Sequence, residues 1–231
     1  MIAAIHQPNF MPWLGYFYKI HACDVFVFLD NVQYSKNSVI NRNKIKSPQG
    51  EMWLTIPVKI KKRFGQLIKD VEIDNGTDWR AKHIKTLEMN YARARFYDEV
   101  LHNLRTVYYA NDWGNLCQFN SQLLMAVLSM LKLEARLVRA SDLNVEGESS
   151  RLLINICKEV DADIYLSGFG GAKYQEEELF EEAGIKLKYY EFKHPVYPQL
   201  WQGFVPNMSI IDMLFNCGSE SMDFILGNKQ E

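Results

Sequence analysis

The run Val25-Phe26-Val27-Phe28-Leu29 is the segment that most restricts how this chain can fold. It is opened by Asp24, closed by Asp30-Asn31, and shows no polar alternation, so both faces of the strand it forms must be covered by protein. Strands of that kind belong to parallel sheets flanked by helices. A shorter run, Ala3-Ala4-Ile5, stops at His6-Gln7-Pro8-Asn9, and the stretch from Trp13 to Ile20 then places Leu14, Phe17 and Ile20 at helical spacing. The first thirty residues therefore read as a parallel β-α-β unit.

Trp53 to Val58 is a further strand candidate, moved to an edge or a strand end by Pro57, which has no ladder donor. Ile68, Val71 and Ile73 suggest another short strand. From about Trp79 to Tyr109 the pattern is helical, and Leu116, Phe119, Leu123, Val127 and Met130 mark a second amphipathic helix, so residues of about 79–133 form a helical block. Alternation then returns. A strand at Leu137-Val138 precedes a helix carrying Leu152, Leu153, Ile156 and Val160, which Ser149 or Ser150 can cap. Ile164 to Leu166 is a strand, Ser167 to Gly171 a glycine-rich turn, Tyr174 to Ala183 a helix ended by Gly184, and Leu187 to Phe192 a strand. Ser209 to Asn216 forms a last helix, with Ser209 and Asp212 at capping-box spacing. One α/β domain over residues 1–231, a parallel sheet with a helical insertion, is the expected architecture.

A formal net charge of −2 provides no broad basic field, so neither nucleic acid nor an anionic membrane is an expected partner. The N-terminal Met1-Ile2-Ala3-Ala4-Ile5 is too short for a secretory h-region, and no membrane-length apolar run occurs; a soluble cytoplasmic protein is expected. Cys23, Cys117, Cys157 and Cys217 stand far apart with no CxxC pair, which points to buried thiols rather than to zinc or disulfides. No metal site is expected from side-chain spacing.

In parallel sheets ligands bind beyond the carboxyl ends of the strands, where loops meet helix N-termini with free N–H groups. His6, Asp30 and Ser167 all fall at such ends. His6, Gln7 and Asn9 combine an imidazole and two amides beside a turn-fixing proline; phosphate contacts and a self-satisfied turn both account for them. Asp30 and Gln33 precede Asn41-Arg42-Asn43-Lys44, in which Arg42 can grip phosphate bidentately and Lys44 adds a point charge, though a polar loop has the same composition. Lys61, Lys62 and Arg63 read as a solvated basic turn. His83, Leu87 and Tyr91 share a helix face at i, i+4 and i+8, where His83 and Tyr91 either reach the crevice or are satisfied in the core. In the turn Ser167-Gly168-Phe169-Gly170-Gly171-Ala172-Lys173-Tyr174, the glycines Gly168 and Gly171 permit close backbone approach and Lys173 is the evident anion partner, although the spacing matches neither a Walker loop nor GxGxxG.

The stretch Ile5-His6-Gln7-Pro8-Asn9-Phe10-Met11-Pro12-Trp13-Leu14-Gly15-Tyr16-Phe17, followed by Phe28 to Tyr34, Asn41 to Lys46 and Trp53 to Val58, resembles the WbqC-like family. Tyr165-Leu166-Ser167-Gly168 and Met208 to Asp212 are similar to its later motifs, so the resemblance covers nearly the whole chain. It implies a sugar-modifying or sugar-activating task in O-antigen or other surface-polysaccharide synthesis. A weaker likeness is to pantothenate synthetase, through His6, Asp30 and Gly171-Ala172-Lys173-Tyr174-Gln175, which implies an adenylyltransferase-like nucleotide-binding core and amide formation with ATP and magnesium. Asn9 stands where the second histidine of an HxGH-type motif is wanted.

These resemblances imply an enzyme that N-acylates, with glycine or another small carboxylate, the amine of a nucleotide-linked amino sugar, using His6, Asp30 and Lys173 as catalytic groups and Tyr174 among the substrate contacts. Nucleotidyl transfer to a sugar phosphate and a non-catalytic nucleotide-sugar-binding module are the alternatives. A homodimer is compatible with either.

Overall fold

A computed structural model of the chain describes residues 1–61, 64–172 and 175–229. Lys173 and Tyr174 of the glycine-rich turn, and Lys62 and Arg63 of the basic turn, lie outside the described residues. In chain order the elements are β1 (Ile2–His6), α1 (Leu14–His21), β2 (Val25–Phe28), β3 (Arg42–Ser47), β4 (Gly50–Thr55), α2 (Trp79–Tyr91), α3 (Tyr97–Tyr109) and α4 (Leu116–Leu131). They continue with β5 (Leu137–Arg139), α5 (Ser149–Glu159), β6 (Ile164–Gly168), α6 (Glu177–Glu182), β7 (Lys186–Tyr190), α7 (Ile210–Cys217) and α8 (Ser221–Ile225). The fold is mixed α/β, with a five-stranded parallel sheet ordered β5-β2-β1-β6-β7 and an antiparallel β3-β4 hairpin.

The chain gathers into two compact units: Met1–Pro8, Tyr18–Val32 and Glu134–Lys193 form the first, and Asn9–Phe17, Gln33–Leu133 and His194–Glu231 the second. In the first, every residue of β2 is buried, as its unbroken apolar run demands. Ala3, Ile5, Val25 and Val27 pack with Leu152, Ile156, Cys157 and Val160 in one core. Each large side chain buried there contributes about 1.5–3 kcal/mol relative to exposure. The ladder between β1 and β2 runs on to His6 opposite Phe28, whereas that between β1 and β6 ends at Ala4 opposite Leu166. β6 therefore leaves β1 before that strand reaches its carboxyl end.

Four local expectations change in the second unit. Asn41 to Lys44 does not form a polar loop: Arg42 to Ser47 is a strand, paired with Gly50–Thr55 in the register Lys44 to Trp53. Buried Asn43 and Lys46 hide its alternation from a hydropathy pattern. Around Ile68 to Ile73 the structure has a short 3₁₀ turn at Ile68–Asp70 and isolated bridges, Val58 to Ile73 and Glu72 to Asn115, because the apolar residues pair with loop backbone rather than with a strand. The helical stretch predicted over Trp79 to Tyr109 is two helices; no proline or glycine breaks it, and the Phe96 N–H instead donates to the Phe215 carbonyl at 3.0 Å. Ser209 caps α7 through Ile211 N–H, but Asp212 does not complete a capping box.

Asp212 is fully buried and accepts from Tyr91 Oη at 2.7 Å, Tyr197 Oη at 2.8 Å and Gln199 Nε2 at 2.9 Å. Burial pushes its carboxyl above the ordinary carboxylate range, while the three donors work in the opposite direction. The Tyr91 hydroxyl also accepts from Lys46 N–H at 3.1 Å. Asp212→Ala strands two buried tyrosine hydroxyls at once, while Gln199 Nε2 keeps Tyr197 Oη and the Val205 carbonyl, and equilibrium denaturation should register a loss of about 2 kcal/mol or more.

Candidate active site

The chain proceeds from β1 outward to β2 and β5 on one side of the sheet, and from β6 to β7 on the other. The change of direction falls between β1 and β6. At such a switch point the connections leaving the two strands diverge and open a crevice. A cavity of about 560 Å³ lies there, within the size range of small-ligand sites. Its apolar wall is Leu29, Val32, Leu152 and Leu153, and its polar wall is His6, Gln7, Ser149, Ser150 and Gln175, with Gly170 and Gly171 completing the rim.

His6 ends β1, and its Nδ1 lies 3.1 Å from the Gln7 carbonyl. A carbonyl only accepts, so the ring proton belongs on Nδ1 and Nε2 carries the lone pair. Enclosure by protein, reinforced by the nearby charge of Lys19, lowers the imidazole to about 3. His6 is consequently neutral at pH 7, and the charge-neutralising role expected of it is not available to the unliganded protein.

The start of α5 faces the same cavity. Gly147 at φ 114° and Ser149 at φ 49° turn the chain into the helix, and Glu148 at the cap position makes no side-chain hydrogen bond to it. Neither serine caps the helix as expected, because Ser150 Oγ accepts instead from the Glu176 N–H at 3.0 Å. The uncapped first turn keeps N–H groups and the positive end of the helix dipole beside the cavity. Gln175 Nε2 donates to Ser167 Oγ at 2.8 Å, while its Oε1 is buried without a hydrogen-bond partner. Gly171 is needed at that point, since a Cβ there would stand 2.7 Å from Ser167 Oγ and 2.8 Å from Gln175 Nε2.

Of the residues singled out in the sequence, His6, Gln7 and Gly171 line this cavity, and Ser167 lies behind it through Gln175. Gly168 ends β6 against Tyr190 and is not among the lining residues. Asp30 belongs to the same unit but not to the wall: one carboxylate oxygen accepts from Ser141 N–H at 2.9 Å and the other from Ser141 Oγ at 2.7 Å. Those two bonds anchor the turn after β5.

Apart from Lys173 and Tyr174, which lie outside the described residues, the remaining candidates belong to the second unit. Asn41 accepts from Tyr34 Oη at 2.9 Å and donates to the Ile56 carbonyl at 2.9 Å. His83 meets Tyr108 Oη at 3.1 Å and the Thr55 carbonyl at 3.0 Å, so both ring nitrogens are used in the core. Tyr91 is occupied by Asp212. Asn9 is buried with Oδ1 unpartnered, and Gln33 is exposed and bridges to Leu67. Arg42 and Lys44 flank the half-exposed Trp53 ring at 4.4 and 5.3 Å, with Lys44 paired to Glu51. Lys19, Ser149 and Gln175 were not singled out as site residues; the one sequence signal was a lysine inside an otherwise apolar helical stretch.

Among the described residues no group of three or more His, Cys, Asp or Glu is placed to hold a metal ion, and no helix is long and apolar enough to cross a membrane. The model of the WbqC-like protein family matches residues 7–224. The uncharacterized protein Rv1507c of Mycobacterium tuberculosis is 39% identical over 223 residues, covering 96% of each chain. No solved structure matches the chain significantly.

His6, lowered to about 3, and His83, lowered by burial to about 4, both lie below the ordinary imidazole value of 6.5. The unfolded chain takes up these two protons near pH 6.5, before the folded protein does, so the associated stability is complete above that pH and is lost as pH falls towards 4. Thermal denaturation from pH 7.5 to 4.5 should show this decline, and His83→Gln should flatten it.

Proposed function

This chain belongs to the WbqC-like protein family, and on that premise we propose that it serves surface-polysaccharide synthesis by joining a small carboxylate, glycine foremost, to the amine of a nucleotide-linked amino sugar. Family membership suggests the polysaccharide role. The observation that carries the site assignment is the crevice between β1 and β6, where a neutral imidazole and an uncapped helix start border one cavity.

The amine nitrogen attacks the carbonyl carbon of an activated carboxylate; a C–N bond forms and the C–O bond to the leaving group breaks. His6 Nε2 accepts the proton released by the amine once the anionic leaving group beside it has raised the ring from its unliganded value of about 3. The α5 N–H groups receive the oxygen that gains negative charge. Gln175 Oε1 can accept from the incoming amine, which would supply the partner it lacks. Activation of the carboxylate calls for a nucleoside triphosphate as co-substrate. Asp30 holds the turn after β5 through Ser141 and takes no part in this step.

Mass spectrometry of nucleotide amino sugars incubated with the protein, ATP and mixed amino acids should reveal a product heavier by one amino acid less one water. Pyrophosphate release that depends on a sugar phosphate and needs no amino acid would select nucleotidyl transfer instead. His6→Ala should lower turnover roughly 10²–10⁴-fold while the fold is retained by circular dichroism; full activity in that variant would remove His6 from the mechanism.

A further inference from the structure

Lys19 of α1 is 3% exposed, yet it carries an ammonium. Its Nζ donates to the Ile5 carbonyl at 2.8 Å and stands 5.8 Å from the centroid of the Tyr165 ring on β6. The groups that act on its charge are the thiols of Cys23 and Cys157, and no carboxylate is among them. Burial holds both thiols up at about 12, raises Tyr165 as well, and keeps His6 neutral; the carboxylate that acts on this cluster is that of exposed Asp24, which acts on Cys23 and accepts from Ile2 N–H rather than meeting Lys19. A buried ammonium without a counter-charge is costly, and closing one carbonyl does not require a charge.

Its location suggests what the charge is for. The Ile5 carbonyl belongs to the peptide that carries the His6 nitrogen, beyond the last β1-to-β6 pair at Ala4 and Leu166. Lys19 thus grips the end of β1 where the strands have separated, and its field reaches the His6 ring.

We propose that Lys19 is the buried counter-charge of the crevice, completed by a phosphoryl anion seated against His6 and the first turn of α5. The inference rests on the crevice being the ligand site, and it adds the ligand's chemical class: a phosphate or diphosphate rather than a neutral sugar or a lone carboxylate. Lys19 is a positioning residue, acting through the β1 end and through its charge.

The probe is inorganic pyrophosphate, its affinity measured by isothermal titration calorimetry and the His6 ring titration followed by ¹⁵N NMR. Lys19→Met should weaken pyrophosphate about tenfold or more and raise the proton affinity of His6, while thermal stability is kept or increased because an unpaired buried charge has gone. In the unsubstituted protein, affinity should fall from pH 7 to 9, since burial lowers Lys19 to about 8 and the ligand itself grows more anionic over that range. That measurement stands even if the methionine variant fails to fold. Unchanged affinity in folded Lys19→Met, or an affinity that does not fall across pH 8, overturns the proposal and leaves the acyl-transfer reading intact. Absence of pyrophosphate binding to the unsubstituted protein overturns the phosphate assignment, and the acyl-transfer reading is then decided by the mass-spectrometric assay alone. Charge-dependent binding with no acyl transfer to any nucleotide amino sugar supports Lys19 and removes the reaction alone.

Discussion

β1 is hydrogen-bonded on both sides over only a fraction of its length. Its ladder with β2 continues to His6, and its ladder with β6 ends at Ala4. A strand in the middle of a parallel sheet must be apolar where both faces are covered, which Ala3, Ala4 and Ile5 are, and polar groups are admitted only where a neighbour has withdrawn. The divergence from β6 creates that place. The cavity, the exposure of the His6 ring to it, and the carbonyl held by Lys19 all follow from where one ladder stops.

The two units treat buried polarity in opposite ways. In the second, Asp212 is saturated by three donors, His83 uses both ring nitrogens, and Asn41 ties a tyrosine to a backbone carbonyl; such networks hold elements in one arrangement and leave little capacity for a ligand. In the first, the Gln175 Oε1 has no partner, α5 starts without a side-chain cap, and Lys19 has no counter-charge among the described residues. Unspent hydrogen-bonding capacity and unbalanced charge beside one cavity are what a binding site requires before its ligand arrives. Asp30, which terminates a sheet strand as a catalytic carboxylate would, follows the saturated pattern through Ser141.

Particular residues show how far the sequence could be read. Val25 to Leu29 and Ala3 to Ile5 announced a parallel sheet because short apolar runs, closed by turn-forming polar residues and in the first case rich in Val and Phe, fit strands covered on both faces. His6, Gln7 and Gly171 were legible as rim residues because they follow strands directly. β3 was hidden, since Asn43 and Lys46 are buried polar groups satisfied by distant backbone, at Phe10 and Met11 and at Trp201 and Gly203. The break between α2 and α3 was equally hidden, because a hydrogen bond to Phe215 makes it rather than any local breaker. Tyr91 and His83 share a helix face, as their spacing required, but that face meets Asp212, Tyr108 and Thr55.

By itself the sequence determined the fold class, the positions of most sheet strands and the residues that stand at strand ends, because these depend on the apolar period and on turn chemistry within a few neighbouring residues. Only the tertiary structure decided which polar residues were consumed and which remained available. Whether a carboxylate such as Asp30 meets Ser141 or a ligand depends on a partner more than a hundred residues away, and no local pattern encodes a partner at that range.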